Sequence, residues 1–216
     1  MYNIYMKITK FDHSCVVIEK NERNIVIDPV EFTSTIPDII NVDAIIITHK
    51  HGDHFQPIVL DKILSLNPNA RLFIAEDMVG LTFHSAEIAQ INHEINLGEF
   101  SVKFFGKDHA PIVDNISPCK NYGVIIDGIF VNPGDSFDIV PINNPDVLLV
   151  AISAPWLKVE ETMDYIKKVK PKRVIPIHDA LLSPMGHTIT DNWVIKACAE
   201  IGAEYTYLQS GDNISI

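Results

Sequence analysis

The sequence predicts an α/β protein in which buried sheets are covered on the outside by amphipathic helices. Fully apolar runs such as residues 43–49 (DAIIITH) and 147–153 (VLLVAIS) are typical of strands that are buried on both faces. Helical periodicity occurs between such runs, as in residues 159–169, where the apolar side chains repeat on one face. Of the 216 residues, 47% are hydrophobic, which is enough for one large domain or two tightly fused halves.

Apolar or alternating runs predict the strands in chain order. These runs cover residues 5–11, 15–20, 24–28, 44–49, 71–75, 100–106, 122–127, 129–132, 147–153 and 173–178, with a further strand near the C-terminus. Helices are predicted around residues 57–66, 77–91, 159–169 and 190–201. Asp77 is a candidate N-cap of the second helix, and Asp127 with Gly128 predicts a tight hairpin between two strands. Strands and helices alternate in both halves, which favours sheets with helices on their outer faces.

The charge balance argues against nucleic-acid binding. The formal net charge is -11, whereas a broad nucleic-acid footprint needs clustered lysine and arginine. The basic run at residues 167–173 (KKVKPKR) lies at a predicted helix end, where cations complement the helix dipole. We therefore interpret this run as a solvated helix end and expect no nucleic-acid partner.

Cysteine usage and the N-terminus indicate a cytoplasmic protein. Cys15, Cys119 and Cys198 are odd in number and show no C-x-x-C spacing, which favours a reducing compartment. Residues 1–14 contain no basic segment followed by an apolar core, so no signal peptide is apparent. No apolar run approaches the ~20 residues that a membrane helix needs, so we expect no membrane contact.

The strongest chemical signal is the segment at residues 45–55, IIITHKHGDHF. His49, His51, Asp53 and His54 follow directly on an apolar run that predicts a buried strand. Imidazole and carboxylate groups are the ligands that zinc and similar metals accept in proteins. A chance cluster is the alternative, and such a cluster would have no reason to be joined by further ligands from elsewhere in the chain.

Further candidate ligands follow other predicted strands. His109, Asp135 and His178 each lie just past the C-terminal end of a predicted strand, as the opening cluster does. In α/β sheets, ligands and catalytic groups collect at that edge. We therefore expect these groups, which are far apart in sequence, to form one shared site.

The remaining histidines and one aspartate leave alternatives open. His84 lies within the second predicted helix as a packed or surface side chain, and His93 follows that helix, where it could bind its last carbonyl groups. His187 lies in a predicted loop, either at the surface or at the rim of a pocket. His13 is either near the site, around the ligands or against the substrate, or remote from it. Asp28 either orients a ligand histidine or is a turn aspartate before a proline.

Taken together, the motif THKHGDH and the order of the other marks resemble the metallo-β-lactamase superfamily. Asp135 lies in PGDSF and His178 in IPIHD, and both follow the histidine cluster in the family's order. The segments FDHSCVVIE and NYGVII are most similar to the compact prokaryotic branch of metal-dependent hydrolases, which is related to the L-ascorbate-6-phosphate lactonases. The resemblance implies an αβ/βα sandwich of two facing mixed sheets with helices outside, formed by a single domain over residues 1–216.

The resemblance also implies a ligand set for two divalent metal ions, with zinc expected first and manganese, iron or nickel as alternatives. The first ion would be held by His49, His51 and His109, and the second by Asp53, His54 and His178. Asp135 would bridge the two ions. The flavodiiron branch has glutamate at the position of His51, so this chain is more similar to the hydrolases.

These residues imply a metal-dependent hydrolase that uses a metal-bound hydroxide on a small, anionic ester, lactone or phosphodiester. Asp53 would take up the proton of the attacking hydroxide and pass it to the leaving group. Lys50, Lys107 and Lys120 either attract the substrate or lie in solvent, and Trp156 either lines the pocket or packs in the core. An iron-dependent redox enzyme on the same fold and a catalytically idle metal-binding domain are the alternatives, and a homo-oligomer is left open.

Overall fold

The computed structural model describes residues 6–82 and 84–216. Residue 5 of the first predicted strand and residue 83 of the second predicted helix lie outside these ranges. The first sheet has seven strands in the order β14-β1-β2-β3-β4-β5-β6. Its strands are β1 (Lys7–Lys10), β2 (Val16–Lys20), β3 (Arg23–Ile27), β4 (Val42–Ile46), β5 (Arg71–Ile74), β6 (Glu87–Ile88) and β14 (Asn213–Ser215).

The second sheet also has seven strands, in the order β13-β12-β11-β10-β9-β8-β7. Its strands are β7 (Glu94–Leu97), β8 (Phe100–Phe105), β9 (Gly123–Ile126), β10 (Phe130–Asn132), β11 (Val147–Ala151), β12 (Arg173–Ile177) and β13 (Glu204–Tyr205). In both sheets one half is antiparallel and the other half is parallel. Both sheets are therefore mixed, as expected.

The helices α1 (Pro57–Leu66), α2 (Val159–Val169) and α3 (Pro184–Ile201) cover the sheets from outside. Strand β11 shows how the layers are built, because its alternate residues belong to two different core clusters. Val147 and Leu149 pack in the cluster that contains residues of both sheets. Leu148 and Val150 pack in the cluster that contains the buried faces of α2 and α3. The predicted αβ/βα sandwich and its doubly buried strands are confirmed.

The bounds of α1 and α2 agree with the sequence prediction, but α3 begins earlier than expected. Ser183 is its N-cap and accepts a hydrogen bond from the backbone N–H of Gly186, at 3.1 Å. Pro184 occupies the first helical position, where its fixed φ and missing N–H are tolerated. His187 consequently lies in the first turn of α3, and the prediction that it lies in a loop is wrong.

The helix predicted around residues 77–91 is also wrong. The structure has a short 3-10 helix at Glu76–Met78 there, and Gly80 follows it with φ of +88°. The chain then forms β6, which pairs in parallel with β5 at the edge of the first sheet. Asp77 is not a helix cap, because its carboxylate accepts the backbone N–H of Lys120, at 3.2 Å.

Two histidines were placed relative to that predicted helix, and both have other surroundings. His84 lies in an exposed loop, where its Nε2 is 2.6 Å from Oδ1 of Asp61. His93 directly precedes β7 and so has no helix end beside it. Neither residue belongs to the clusters of candidate metal ligands found among the described residues.

The topology brings the candidate ligands to one edge of the sandwich. Strands β10, β11 and β12 are parallel, and β8 runs in the same direction because β9 separates it from β10 by two antiparallel pairings. Between β9 and β10, Asp127 and Gly128 have φ of +52° and +69°, which confirms the predicted tight hairpin. None of the helices in residues 6–82 and 84–216 is both long and apolar enough to cross a bilayer.

Candidate metal centre

The structure brings together all the ligand candidates that the sequence indicated. His49 follows β4, His109 follows β8, Asp135 follows β10 and His178 follows β12. These four side chains and His54 are buried. His51 and Asp53 lie in the turn before α1 and are partly exposed, so the site opens to solvent on their side.

The candidate ligands form three groups, and within each group the ligand atoms lie within 4.8 Å of one another. One group is His49, His51 and His109, which is the set that the family resemblance implied for the first ion. The second group is His13, Asp53 and His178, so it contains His13 where the resemblance implied His54. The third group joins His54 to His49 and Asp135, which places His54 between the other two groups.

The carboxylate of Asp135 contacts histidines of both implied metal sets. Its Oδ1 is 3.2 Å from Nε2 of His54, and its Oδ2 is 3.3 Å from Nε2 of His109 and 3.2 Å from Nε2 of His178. Trp156 donates its indole Nε1–H to the same Oδ2, at 2.8 Å. Trp156 is thus a site residue that the sequence left open between pocket wall and core. A carboxylate with this set of neighbours is suited to bridge two ions.

A glycine allows the loop of Asp135 to lie close to the histidine motif. Gly134 has φ of +62°, and a Cβ at this position would clash with the side chains of Asn121 and Thr48. Asn121 then accepts the backbone N–H of Asp135, at 2.9 Å. The glycine of PGDSF is therefore required both by its backbone conformation and by the close approach of two loops.

Left-handed backbone conformations concentrate at this edge. His13, Asp28 and His178 have φ of +51°, +49° and +60°, although each carries a side chain. Such conformations cost on the order of 1–3 kcal/mol each and persist where surrounding contacts hold them. His13 and His178 stabilise each other in this way, because the backbone N–H of His178 donates to the carbonyl of His13, at 3.0 Å.

His109 and His178 have the tautomer that a metal ligand requires. Nδ1 of His109 donates to the carbonyl of Ala110, at 2.5 Å, and Nδ1 of His178 donates to the carbonyl of Ser153, at 2.6 Å. Because a carbonyl oxygen can only accept, the ring hydrogen must lie on Nδ1. The Nε2 atom of each neutral ring then carries a lone pair that faces the centre.

His54 and His49 also carry their ring hydrogen on Nδ1, where Asp28 and Thr48 accept it. Nδ1 of His54 donates to Oδ2 of Asp28, at 2.9 Å. The hydroxyl of Thr48 donates to the same oxygen, at 2.9 Å, and can therefore accept from Nδ1 of His49, at 3.1 Å. Asp28 is buried and also accepts the backbone N–H of Thr48, at 2.7 Å. These contacts favour its interpretation as the partner that orients a ligand histidine.

The donor set therefore fits a metal ion. Within the part of the chain that the structure describes, the buried Nε2 atoms of His49, His54, His109 and His178 have no hydrogen-bond partner. A buried, unpaired polar atom is costly, and four of them aimed at one volume need a shared ligand. Nδ1 of His51 is left for coordination as well, since its Nε2 lies 3.7 Å from Sγ of Cys119.

Neighbouring charges set the protonation of the site. Burial opposes charge on His178, but the carboxylates of Asp135 and Asp53, each 3.2 Å from its Nε2, outweigh burial and raise the pKa of His178 to about 9. Burial likewise opposes charge on His54, yet the carboxylates of Asp135 and Asp28 raise its pKa well above the usual range. Metal ions therefore compete with protons for these rings, and binding is favoured as pH rises towards 9.

The three lysines that the sequence offered for substrate attraction each contact a carboxylate. Lys50 is 2.9 Å from Asp77, Lys120 is 3.0 Å from Asp108, and Lys107 is 3.7 Å from the same aspartate. Their charges are thus largely balanced locally. Metal ions held by the candidate ligands would therefore supply more of the positive charge at the site than these lysines.

A pocket of about 520 Å³ is lined by the candidate ligand His109 and by Trp156. Its walls include Pro111, Pro118 and Phe137. A second pocket, of about 560 Å³, lies on the side of His13 and His187. Both volumes are in the range of small-molecule sites.

Comparison with known proteins places the whole pattern in one family. The family model described as the beta-lactamase superfamily domain matches residues 7–178 of this chain. Protein Rv0786c of Mycobacterium tuberculosis is 32% identical, over 83% of this chain and 86% of the relative. A UPF0173 metal-dependent hydrolase of Saccharolobus solfataricus is 28% identical, over 94% of this chain and 96% of the relative.

The fold is also similar to that of solved structures. One is a metallo hydrolase from the hyperthermophilic archaeon Ignicoccus hospitalis, with a TM-score of 0.72 and 20% identity over 98% of both chains. Another is the metallo-beta-lactamase fold protein YhfI from Bacillus subtilis, with a TM-score of 0.72 and 18% identity. That alignment covers 99% of this chain and 100% of the neighbour.

Proposed function

The chain belongs to the beta-lactamase superfamily and is a metal-dependent hydrolase, and from this premise we propose that it hydrolyses a small ester, lactone or phosphodiester with two divalent ions. We take residues 1–216 as a single domain, because β14 near the C-terminus pairs with β1 near the N-terminus. We place the protein in the cytoplasm, since Cys15, Cys119 and Cys198 are all free thiols.

The observation that carries the proposal is the set of buried Nε2 atoms without a hydrogen-bond partner in the described residues. We assign His49, His51 and His109 to the first ion, and Asp53, His54 and His178 to the second. Asp135 is assigned to both, because it contacts histidines of each set. Zinc is the expected metal, since imidazole and carboxylate ligands suit it, with manganese, iron or nickel as alternatives.

When bound, two such ions lower the pKa of a coordinated water towards ~7 and polarise a carbonyl or phosphoryl oxygen. The protein residues supply the orientation and the proton path. Asp53 lies on the open side of the site, with 29% of its side chain exposed. Burial would raise the pKa of Asp53, but the neighbouring imidazoles of His13 and His178 hold it well below its usual range. Asp53 therefore stays ionised, so it can take the proton of the attacking water and hand it to the leaving group.

The pocket and the charge balance favour a small, anionic substrate. The 520 Å³ pocket beside His109 and Trp156 has room for a small molecule. Two divalent ions with two carboxylates, Asp53 and Asp135, leave an excess positive charge of about two units by charge counting. This excess charge attracts an anion even though Lys50, Lys107 and Lys120 are paired with carboxylates.

The test is a panel of esters, lactones and phosphodiesters assayed with zinc-loaded protein, with chelated protein and with His178→Ala. We expect turnover of at least one class, which chelation abolishes and the variant reduces strongly. His84→Ala is the matched control, because it removes an exposed histidine outside the site and should retain activity. Hydrolysis that survives chelation would contradict the proposal, and oxygen uptake by iron-loaded protein would favour the redox alternative.

A further inference from the structure

His13 lies beside the candidate metal centre, and its ring and backbone are fixed by several contacts. Its side chain is fully buried. Its ring stacks on Phe32, with centroids 5.0 Å apart and an interplanar angle of 17°, and lies 4.1 Å from the ring of His178. Its carbonyl accepts the backbone N–H of His178, at 3.0 Å. The orientation of the two ring nitrogens is therefore fixed.

The hydrogen bond at Nδ1 sets the tautomer of this ring. Nδ1 of His13 accepts the backbone N–H of Ala180, at 3.2 Å. An amide N–H can only donate, so Nδ1 must present its lone pair and the ring hydrogen must lie on Nε2. His109 and His178 have the opposite polarity, because their Nδ1 atoms donate to carbonyl groups.

Nε2 of His13 points at Asp53, 3.6 Å from Oδ2. It has no hydrogen-bond partner within 3.5 Å among the described residues, and it belongs to the ligand-like group with Asp53 and His178. By proximity alone His13 would be counted as a ligand of the second ion. Its tautomer contradicts that, because a nitrogen that carries a hydrogen has no lone pair to offer a metal.

We propose that His13 is a positioning residue, which directs its Nε2–H at the carboxylate of Asp53 and binds no metal itself. The inference rests on the proposed function, since Asp53 is there assigned to the second ion and to proton transfer. The fixed Nε2–H of His13 beside Asp53 favours one orientation of the carboxylate. The lone pairs available to metal ions then belong to the ligand histidines.

The first measurement is the tautomer of His13 by long-range proton–nitrogen NMR of the histidine rings, with and without zinc. We expect the Nε2–H form in both states, because the Ala180 bond exists independently of metal. Loss of that hydrogen on zinc binding, with the nitrogen shift of a coordinated Nε2, would overturn the proposal. If the wild-type protein binds no zinc at all, the proposed function fails, yet the tautomer in the metal-free protein still decides the assignment.

The second measurement compares two variants. His13→Gln places an amide N–H near the position of Nε2, whereas His13→Phe keeps the stacking on Phe32 and removes both nitrogens. Both variants should bind two zinc ions per chain. His13→Phe should release zinc to a chelator about tenfold more readily, as expected for loss of a group that orients a ligand, and His13→Gln should remain close to wild type. Loss of one ion in both variants, or zinc retention by His13→Phe equal to wild type, would contradict the role.

Discussion

Replacing Asp135 by asparagine should lower turnover by at least about 100-fold, even at saturating metal. The replacement of a residue that only hydrogen-bonds to a metal ligand already lowers metal affinity or activity ~10–100-fold. Oδ1 of Asp135 faces His54, and Oδ2 faces His109 and His178. Asparagine supplies one neutral oxygen and one amide nitrogen that ligates poorly, so one of the two ions loses its shared ligand. The measurement is a zinc titration of Asp135→Asn with occupancy and rate followed together. Excess zinc should restore occupancy more than it restores rate.

Trp156→Phe is the matched control for this prediction. It keeps an aromatic ring against the ligands but removes the Nε1–H that donates to Oδ2 of Asp135. Its rate should fall by no more than about 10–100-fold, because it changes the environment of the carboxylate and not the ligand itself. Wild-type turnover by fully loaded Asp135→Asn would show that Asp135 does not bridge two ions.

Replacing Asp28 by asparagine should weaken both the fold and the metal site. Asp28 accepts three hydrogen bonds with two oxygens, two from Thr48 and one from Nδ1 of His54. The amide NH2 of asparagine would face at least one of these donors, and a broken buried charge pair costs roughly 3–5 kcal/mol in the free energy of unfolding. His54 would also lose the partner that fixes its tautomer, so zinc affinity should fall ~10–100-fold.

The control for Asp28→Asn is Asn67→Asp, the same exchange in reverse, at the start of β4 and so at the other end of the strands. Asn67 is buried, accepts the backbone N–H of Val42, and donates to the carbonyls of Ile39 and Ile63. Asn67→Asp should lower the free energy of unfolding, measured by denaturant titration, because its carboxylate faces two carbonyl oxygens. Its zinc affinity, measured against a competing chelator, should be unchanged. Equal zinc affinity in Asp28→Asn and wild type would contradict the orienting role of Asp28.

Most of the strands and two helices could be predicted because their hydrophobic period is strong and local, whereas β7 (Glu94–Leu97) was not predicted. The segment at residues 77–91 could not, since its short strand β6 forms only by pairing with β5 at a sheet edge. Residues such as Ile88 stay half exposed there, so neither helical nor strand periodicity marks them. The start of α3 at residue 184 could have been predicted, because serine followed by proline at 183–184 is a typical helix start.

The candidate ligands could be found from the sequence because each follows an apolar strand, and parallel strands end at a common edge. The environment of those ligands could not. Whether His13 offers a lone pair or a hydrogen depends on the backbone N–H of Ala180, which is 167 residues away in the chain. The bond from Trp156 to Asp135 likewise depends on how two loops meet. Such contacts belong to the tertiary structure and leave no local pattern.

The number of metal ions bound per chain tests the central claim most directly. We expect elemental analysis of protein loaded with zinc and freed of excess metal to give about two ions per wild-type chain. His49→Ala and His178→Ala remove ligands of different ions, so each variant should retain about one. A single ion or none in the wild-type protein, or two ions in either variant, would contradict the account.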